Sequence, residues 1–319
     1  MTKSLRIMGK GPAWLLVLAT GARVRRLAVP GAELAGVVYV RTLADAQTLK
    51  ALIASAHNVV VIGGGFIGLE CAAVAATLGR RTTLLEAADR LMARVVSPML
   101  SAHYLDLHRR HDVDIHLGAA VTAIAGEDGR AIGVRCQDGA LIPADLVIVG
   151  IGIVPNDELA KSAALACDRG IVVDEMLRTT DPAIYAIGDC AAFPHPMARA
   201  LVRLESVQNA IDQGKAVAEA ICGAPKPYTA VPWFWSDQYD VKLQIAGICQ
   251  DYDDTVTLGG AAADRFSVLY FRQGVLIAVD SVNKAGDHMA ARKLFGAGTT
   301  IRLAQAREPD FDLRVAARS

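Results

Sequence analysis

The chain has 319 residues, 53% of them hydrophobic and 21% charged, a composition that excludes a disordered polypeptide and predicts two or three folded domains. Lys+Arg and Asp+Glu number 33 each, and no basic stripe with interleaved aromatic residues occurs, so we expect no binding to nucleic acid or to membranes. Six scattered cysteines form neither a CxxC pair nor a metal-ligand spacing, which predicts the reduced thiols of a cytoplasmic protein.

An apolar run from Ala13 to Ala19 follows the basic residues Lys3, Arg6 and Lys10 near the N-terminus. This pattern has two interpretations, a secretory signal peptide or a buried strand that ends in the turn at residues 19–22. The run is too short to span a membrane. We favour the strand, because the residues after it continue as ordinary globular sequence.

After a predicted helix at residues 41–55, the stretch from His57 to Glu86 carries the most informative pattern of the chain. A β-branched strand at 59–62 leads directly into a GxGxxG motif, which continues as an Ala/Leu-rich helix to about residue 78 and a second strand at 82–85. Within the motif, Gly63 permits the tight turn, Gly65 lets a pyrophosphate approach the backbone, and Gly68 allows close packing of helix on strand. This order predicts a dinucleotide site rather than a glycine turn that binds nothing.

Glu86, at the end of the second strand, predicts which nicotinamide nucleotide binds. Its carboxylate can accept hydrogen bonds from the adenosine ribose hydroxyls and would repel a 2′-phosphate, which favours NADH over NADPH. Arg80, Arg81 and Arg90 lie nearby in the sequence and could weaken that preference.

The next predicted helix, residues 97–110, brings several histidines close together, including His103, His108 and His111. His108 and His111 are three residues apart, so a metal site is conceivable. No carboxylate or cysteine completes a ligand set, and we therefore favour a solvated helix face and predict no metal.

Residues 121–149 predict a small antiparallel meander that leads into an apolar strand at 146–149 and a glycine turn at 150–156. A later strand ends in Gly188-Asp189, which either faces a polyhydroxylated ligand or simply caps a helix, and the sequence favours neither alternative. A helix is predicted at 203–222, with Glu205 and Asn209 one turn apart.

A linker at 223–227 precedes a change of composition. The aromatic segment Trp233–Gln238, a strand at 241–245, a hairpin of 266–271 with 275–279, and a helix at 286–294 predict a compact α+β domain. The polar tail after Arg307 is expected to be mobile.

Six motifs in this order resemble the FAD-dependent NADH:ferredoxin reductases of oxygenase systems, and the resemblance covers nearly all of residues 15–300. The motifs are VVVIGGGFIGLE, LVIVGIGIVPN, TTDPAIYAIGDCA, RLESVQNA, VPWFWSDQY and FSVLYF…VLIAVDSVN. The resemblance implies an α/β fold with two Rossmann-like, three-layer dinucleotide-binding domains, the first N-terminally truncated, and a C-terminal α+β domain. It implies a remnant of the FAD domain at 1–45, the NAD domain at 46–160, the rest of the FAD domain at 161–225 and an interface domain at 226–319.

The resemblance also implies site residues for FAD and NADH. Against FAD it places Thr20, Gly21, Arg23, Gly188 and Asp189, and around the flavin ring Glu205, Asn209 and the 233–238 loop with Trp233. For NADH it implies Gly63, Gly65, Gly68, Glu86 and Gly152, with Glu70 near the nicotinamide. Trp235 is a candidate for the side on which electrons leave toward a [2Fe–2S] ferredoxin, and a core tryptophan is an equally weighted alternative. The expected oligomeric state is a monomer or a weak dimer.

The family begins with its own strand–GxGxxG–helix for FAD, and residues 1–14 do not contain one, since a βαβ unit needs about thirty residues. We therefore expect the opening half of the FAD domain to be missing and FAD affinity to fall sharply. The resemblance implies a flavoprotein that passes electrons from NADH through FAD to a [2Fe–2S] ferredoxin serving an oxygenase. The alternatives are a non-catalytic NAD-binding fragment, or a reductase of rubredoxin or a quinone. Without a CxxC pair, the disulfide-reductase branch is excluded.

Overall fold

The structure, a computed structural model, describes residues 4–5, 14–260 and 264–318. The chain divides into two compact units. The inserted unit comprises residues 24–153 together with 236–242, and the discontinuous unit comprises the three remaining segments, up to residue 23, 154–235 and from 243 onward. The prediction that residues 1–14 lack the opening half of the FAD domain concerns residues that lie mostly outside the described part of the chain.

Three short strands open the described chain: β1 (Ser4–Leu5), β2 (Leu15–Leu18) and β3 (Ala22–Val24). Strand β2 lies within the apolar run at 13–19, which confirms the strand interpretation of that run. Among the residues described, no helix combines the length and the hydropathy that crossing a membrane requires.

The inserted unit is built on a parallel sheet with the order β4-β11-β5-β6-β7 and a three-stranded antiparallel sheet β10-β9-β8. Its elements are β4 (Val37–Val38), α1 (Leu43–Ser55), β5 (Asn58–Ile62), α2 (Phe66–Thr77), β6 (Arg81–Glu86), α3 (Pro98–Arg110), β7 (Asp114–Leu117), β8 (Val121–Glu127), β9 (Arg130–Cys136), β10 (Leu141–Pro143) and β11 (Leu146–Val149). The predicted strand, glycine turn, helix and second strand are β5, α2 and β6.

Strand β5 lies in the middle of the parallel sheet because its β-branched residues can be buried on both faces. Val59, Val60 and Val61 are almost fully buried. The chain leaves β5 toward β6 on one side, whereas β11 pairs on the other side. The carboxyl ends of β5, β6 and β11 therefore meet at one edge, where open α/β sheets bind their ligands.

Helix α3 contradicts one expectation, because its histidines do not form a solvated face. His108 is fully buried, and His103 is buried with its ring edge-on to Tyr104 at 5.5 Å. His108 can pack inward because its imidazole bonds the Gln238 side-chain oxygen at 2.8 Å. Among the described residues, no group of three His, Cys, Asp or Glu side chains is placed to hold a metal.

The next segment supplies the core of the discontinuous unit, where buried Leu18, Phe193 and Tyr228 belong to one hydrophobic cluster. Its elements are β12 (Ile153–Pro155), α4 (Glu158–Ser162), β13 (Ile171–Val172), β14 (Ile184–Ala186), β15 (Ala191–His195), β16 (Ala200–Val202) and α5 (Val207–Ile221). Strand β14 pairs in parallel with β2, and β13, β15 and β16 form a second sheet.

In this segment one prediction was wrong in detail, and one of two alternatives that the sequence left open is excluded. Helix α5 begins at Val207 rather than at 203, because Ser206 is its N-cap and its side chain accepts a hydrogen bond from the backbone N–H of Asn209. Glu205 therefore precedes the helix. Gly188–Cys190 form one 3-10 turn that leads into β15, so Asp189 does not cap an α-helix.

The C-terminal part is an antiparallel sheet of order β17-β18-β21-β20-β19 with helices packed on it. Its elements are β17 (Trp233–Gln238), β18 (Val241–Gly247), β19 (Asp254–Gly260), β20 (Arg265–Arg272), β21 (Val275–Val282), α6 (Ala285–Gly296), α7 (Leu303–Ala306) and α8 (Leu313–Ala316). The expectation of a mobile tail after Arg307 was wrong, because Leu313 and Ala317 are buried in the same cluster as Leu294 and Ile301.

The middle strand β21 carries a fully buried carboxyl group, Asp280, which accepts a hydrogen bond from the Tyr270 hydroxyl. Burial raises the pKa of Asp280 from 3.8 to about 7, although the Tyr270 hydrogen bond opposes the shift. The folded chain then binds one more proton than the unfolded chain between these two values. This residue therefore makes the free energy of unfolding fall as the pH rises from about 4 to 7.

Asp280→Asn removes the titrating group, and we expect the variant to lose less stability than the unmodified chain when the pH is raised from 5 to 8. Urea denaturation at the two pH values measures this difference. Asp251→Asn, at an exposed turn residue, is the control and should retain the original slope. An Asp280→Asn chain with that same slope would contradict the prediction.

Candidate functional site

The three glycines at the start of α2 have different surroundings. A Cβ on Gly68 would lie 1.9 Å from the Gly63 carbonyl oxygen, and a Cβ on Gly63, which has a φ of +106°, would lie 2.5 Å from the Gly150 carbonyl oxygen. These two glycines let β5, α2 and β11 approach one another. A Cβ on Gly65 would meet nothing within 4 Å, so the backbone there borders open space. The positive end of the α2 dipole faces the same place, which suits a phosphate.

Glu86 lies at the carboxyl end of β6 and already serves the fold. One carboxylate oxygen accepts the Gly64 N–H at 2.5 Å, and the other accepts the Ala88 N–H at 2.7 Å. Each oxygen has a second lone pair, so the side chain can still accept from a ribose hydroxyl. The carboxylate is thus fixed in direction beside the glycine turn.

The neighbouring arginines do not neutralise this carboxylate. Arg80 donates to the Ala54 carbonyl, and Arg90 donates to the carbonyls of Ala93 and Val96. Arg81 is exposed at the opposite end of β6 from Glu86. The arrangement favours a nucleotide without a 2′-phosphate.

Glu86→Gln is expected to lower the affinity for NADH about tenfold, the equivalent of one charged hydrogen bond. The amide nitrogen cannot accept a backbone N–H, so thermal stability should also fall slightly. Fluorescence titration with NADH and NADPH measures both affinities, and the preference for NADH should decrease. Glu127→Gln, an exposed carboxylate on β8, is the control; an unchanged preference in Glu86→Gln would contradict the assignment.

Glu70 lies on α2, in the turn after Gly65, and is partly buried. The Ser236 hydroxyl donates to its Oε1 at 2.6 Å. Burial raises the pKa of Glu70, and this hydrogen bond acts in the opposite direction. Gly152, exposed and with a φ of +99°, follows β11 and accepts the Arg25 N–H through its carbonyl at 2.9 Å. Glu70, Glu86, Gly152 and the three motif glycines all belong to the inserted unit.

In the discontinuous unit, a buried side chain beside the Gly188–Asp189 turn has an unsatisfied hydrogen-bond donor. Gly188 has a φ of +74°, and its N–H donates to Gln213 Oε1 at 2.7 Å. Gln213 is fully buried, and its Nε2 has no hydrogen-bond partner within the part of the chain that the structure describes. A buried donor of this kind suits a ligand oxygen. The sequence reasoning missed Gln213, although its position one turn after Asn209 on α5 could have indicated it.

Asn209 and Glu205 are held by neighbouring protein groups. Asn209 is fully buried, donates to the Leu204 carbonyl at 3.1 Å and accepts the Tyr228 hydroxyl at 3.2 Å. Glu205 pairs with Arg203 at 2.6 Å. Their amide and carboxylate groups therefore position the segment before α5.

Thr20, Gly21 and Arg23 come together at one loop. The Thr20 hydroxyl donates to the Asn156 carbonyl at 2.5 Å, and the Asn156 N–H donates to the Gly21 carbonyl at 2.9 Å. Arg23 bonds the Asn156 side chain at 2.9 Å and pairs with Glu158 at 2.7 Å. The Thr20 hydroxyl and the Arg23 guanidinium, both predicted to face FAD, thus already have protein partners.

The two tryptophans of β17 form a partly exposed aromatic cluster. Their ring centroids are 5.6 Å apart, and the Arg292 guanidinium lies 4.3 Å from the Trp233 ring centroid. The backbone N–H of Trp233 donates to Gln208 Oε1 at 3.2 Å, which connects the cluster to α5. Trp235 is 37% exposed and is therefore not a core residue.

Both sets of residues fit the groups that the sequence predicts. The inserted unit offers an open backbone at Gly65, a helix N-terminus and an acidic side chain, which suit a dinucleotide with free ribose hydroxyls. The discontinuous unit offers a glycine turn and a buried unsatisfied amide donor. These features are those of a dinucleotide-binding α/β protein.

Comparison with known proteins identifies the class further. Residues 12–214 match the pyridine nucleotide-disulphide oxidoreductase family, and residues 233–317 match the reductase C-terminal family. The chain therefore belongs to the pyridine nucleotide-disulphide oxidoreductases, and within them to the ferredoxin reductases. The family, the fold class and the prediction of an oxidoreductase that uses FAD and NADH are confirmed.

Among its relatives is rhodocoxin reductase from Rhodococcus erythropolis, which is 50% identical over 301 residues; the match covers 94% of this chain and 70% of that protein. The ferredoxin reductase for the CYP199A2 system from Rhodopseudomonas palustris superposes with a TM-score of 0.92 at 43% identity, covering 99% of this chain and 81% of that one. The putidaredoxin reductase in a covalent complex with putidaredoxin gives a TM-score of 0.91 at 37% identity, covering 100% and 81%.

Proposed function

We propose that the chain passes electrons from NADH through FAD to a [2Fe–2S] ferredoxin that serves an oxygenase. The observation that carries this proposal is the open backbone at Gly65, at the positive end of α2 and beside the fixed Glu86 carboxylate. Gly63, Gly68 and Gly152 would shape the site, and Glu70 would face the nicotinamide. The residues that would hold FAD are Thr20, Gly21, Arg23, Gly188, Asp189, Glu205, Asn209, Gln213 and Trp233.

FAD, when bound, would supply the chemistry of accepting one hydride, which carries two electrons, and of releasing those electrons singly to a one-electron carrier. The chain's own residues bind and orient. Gln213 Nε2 would donate a hydrogen bond to the flavin cofactor, and Glu86 would select a ribose with two free hydroxyls. We propose the domains at 46–160 for NADH, 161–225 for FAD and 226–319 for the partner interface, in a cytoplasmic protein.

The exposed Trp235 ring supports the ferredoxin as acceptor. Arg292 and Lys293 lie on α6 beside the Trp233 ring, and exposed Met289 is on the same helix. An aromatic surface flanked by cations suits an acidic electron carrier, because opposite charges steer association.

The test is to supply the purified chain with FAD and NADH and to measure reduction of putidaredoxin spectroscopically, with rubredoxin and a quinone as parallel acceptors. We expect reduction of the [2Fe–2S] protein to be fastest. Trp235→Ala should slow that reduction about tenfold while NADH still bleaches the flavin at its original rate. Trp14→Ala changes another exposed tryptophan and is the control.

Three outcomes would contradict the proposal. A chain that binds NADH but no FAD would be a nucleotide-binding fragment. Faster reduction of rubredoxin or of the quinone would change the acceptor. Equal rates for Trp235→Ala and Trp14→Ala would remove Trp235 from the interface.

A further inference from the structure

Five polar side chains of the inserted unit form a continuous chain of hydrogen bonds that ends on Glu70. From the far end, the Tyr239 hydroxyl lies 3.1 Å from His108 Nδ1, and His108 Nε2 lies 2.8 Å from Gln238 Oε1. Gln238 Nε2 lies 3.1 Å from Ser236 Oγ, which lies 2.6 Å from Glu70 Oε1. His108, Ser236 and Gln238 are fully buried, so water does not compete for these bonds.

The chemistry of the groups fixes the direction of every bond in this chain. An ionised carboxylate only accepts, so the Ser236 hydroxyl must donate to Glu70. The Ser236 oxygen then receives its other hydrogen bond from the amide nitrogen of Gln238, which turns the Gln238 oxygen toward His108. His108 must therefore carry its proton on Nε2 and accept the Tyr239 hydroxyl on Nδ1.

The ionisation states of His108 and Tyr239 agree with this direction. Burial lowers the pKa of His108 to about 4, so its imidazole is neutral at physiological pH. Burial also raises the pKa of the Tyr239 phenol, which keeps its proton. The ring of His111 stacks on Tyr239 with 3.7 Å between centroids, and its charge lowers the pKa of His108 further.

The groups around Glu70 shift the pKa of its carboxyl group in opposite directions. Burial, and to a smaller extent the Asp237 carboxylate, raise the pKa of Glu70. The Ser236 hydroxyl and the Asp237 backbone N–H lower it. The adjacent Cys71 thiol is neutral, because burial raises its pKa to about 12. The Ser236 hydrogen bond is therefore the largest influence that favours the ionised carboxylate.

We propose that Ser236, Gln238 and His108 are positioning residues that hold the Glu70 carboxylate ionised and in one orientation on the dinucleotide helix. Without the amide of Gln238, the Ser236 hydroxyl would lose the donor that directs its own proton to Glu70. The consequence for ligands rests on the proposed function, in that α2 carries the nicotinamide nucleotide. An oxidised nicotinamide is cationic, so a fixed negative charge should favour NAD⁺ relative to NADH.

The direct test follows the titration of Glu70 by NMR in the full chain with ¹³C-labelled glutamate side chains, using Glu70→Gln to assign the signal. In Ser236→Ala we expect the Glu70 midpoint about one pH unit higher, the size of a charge-assisted hydrogen bond. His108→Phe should raise it less, and His108→Gln, which keeps a donor toward Gln238, should restore it. Ser101→Ala and His103→Phe, buried positions on the same helix α3, are the controls.

An unchanged Glu70 midpoint in Ser236→Ala overturns the proposal, and so does a His108→Gln chain that behaves like His108→Phe. If His108→Phe does not fold, the comparison of Ser236→Ala with Ser101→Ala still decides. Binding of NAD⁺ and NADH is measured on the same variants, and Ser236→Ala should weaken NAD⁺ binding about tenfold more than NADH binding. Gly65→Val separates the two hypotheses: if it leaves NADH binding intact, the proposed nucleotide site fails while the Glu70 titration still tests the network.

Discussion

Gly65→Val is expected to reduce the affinity for NADH by on the order of 100-fold or more while the chain remains folded. A side chain at this position enters the open space that borders the backbone at the start of α2, where a pyrophosphate would lie. It meets no protein atom, since a Cβ on Gly65 has no neighbour within 4 Å. The backbone there has a φ of −82° and a ψ of −179°, an extended conformation that valine adopts readily.

The measurement is a fluorescence titration with NADH, accompanied by thermal unfolding of the same sample. The expected unfolding temperature is close to that of the unmodified chain, because the only cost to the fold is a poorer N-cap residue, at most about 1 kcal/mol. Gly65→Ala, with a smaller side chain, should reduce affinity less. Retention of full NADH affinity in Gly65→Val would remove the nucleotide from this edge of the sheet.

The sequence was informative about this edge because its signals are local. A buried strand, a glycine turn, a helix and an acid follow one another within thirty residues, and each is recognisable from its own composition. The same holds for the hairpin of β20 and β21, whose turn at Gln273-Gly274 is visible in the sequence. The positive φ of Gly63 agrees with the tight turn expected of it, and the close approach of Gly68 agrees with the expected packing of helix on strand.

Other features depend on residues that are far apart in the chain, and the sequence could not bring them together. His108 and Gln238 are 130 residues apart, and nothing in either segment indicates that the imidazole is buried against the amide. A helix with several histidines therefore looked solvated. The prediction of a mobile C-terminal tail was wrong for a related reason. The tail has few apolar residues, and the burial of Leu313 and Ala317 depends on a distant surface around Leu294.

Gln213 shows the same limit within a helix. Its oxygen accepts the Gly188 N–H, 25 residues away, and only this contact reveals that its nitrogen is left without a partner among the described residues. A glutamine on a helix is ordinarily a surface residue. Its spacing from Asn209 was the one signal in the sequence, and its burial is the observation that brings it into the proposed FAD site.

Gly68→Ala is expected to lower the free energy of unfolding by about 3 kcal/mol or more. Gly65→Ala should change that free energy very little. A Cβ on Gly68 would lie 1.9 Å from the Gly63 carbonyl oxygen, a backbone atom that cannot rotate away. Relief would require α2 to move off β5, and the Gly150 backbone, which lies against Gly68, would lose its packing as well.

Gly65→Ala and Gly68→Ala add the same methyl group three residues apart, at the N-cap and in the first turn of α2. The difference between their stabilities therefore isolates the close approach of α2 to β5. Urea denaturation of both, side by side, measures that difference directly. Because Gly68→Ala shifts the helix that carries the nucleotide, NADH affinity should fall together with stability, whereas in Gly65→Val affinity should fall alone. Equal stability of Gly68→Ala and Gly65→Ala would show that α2 tolerates displacement, and the glycine at 68 would then not be required for packing.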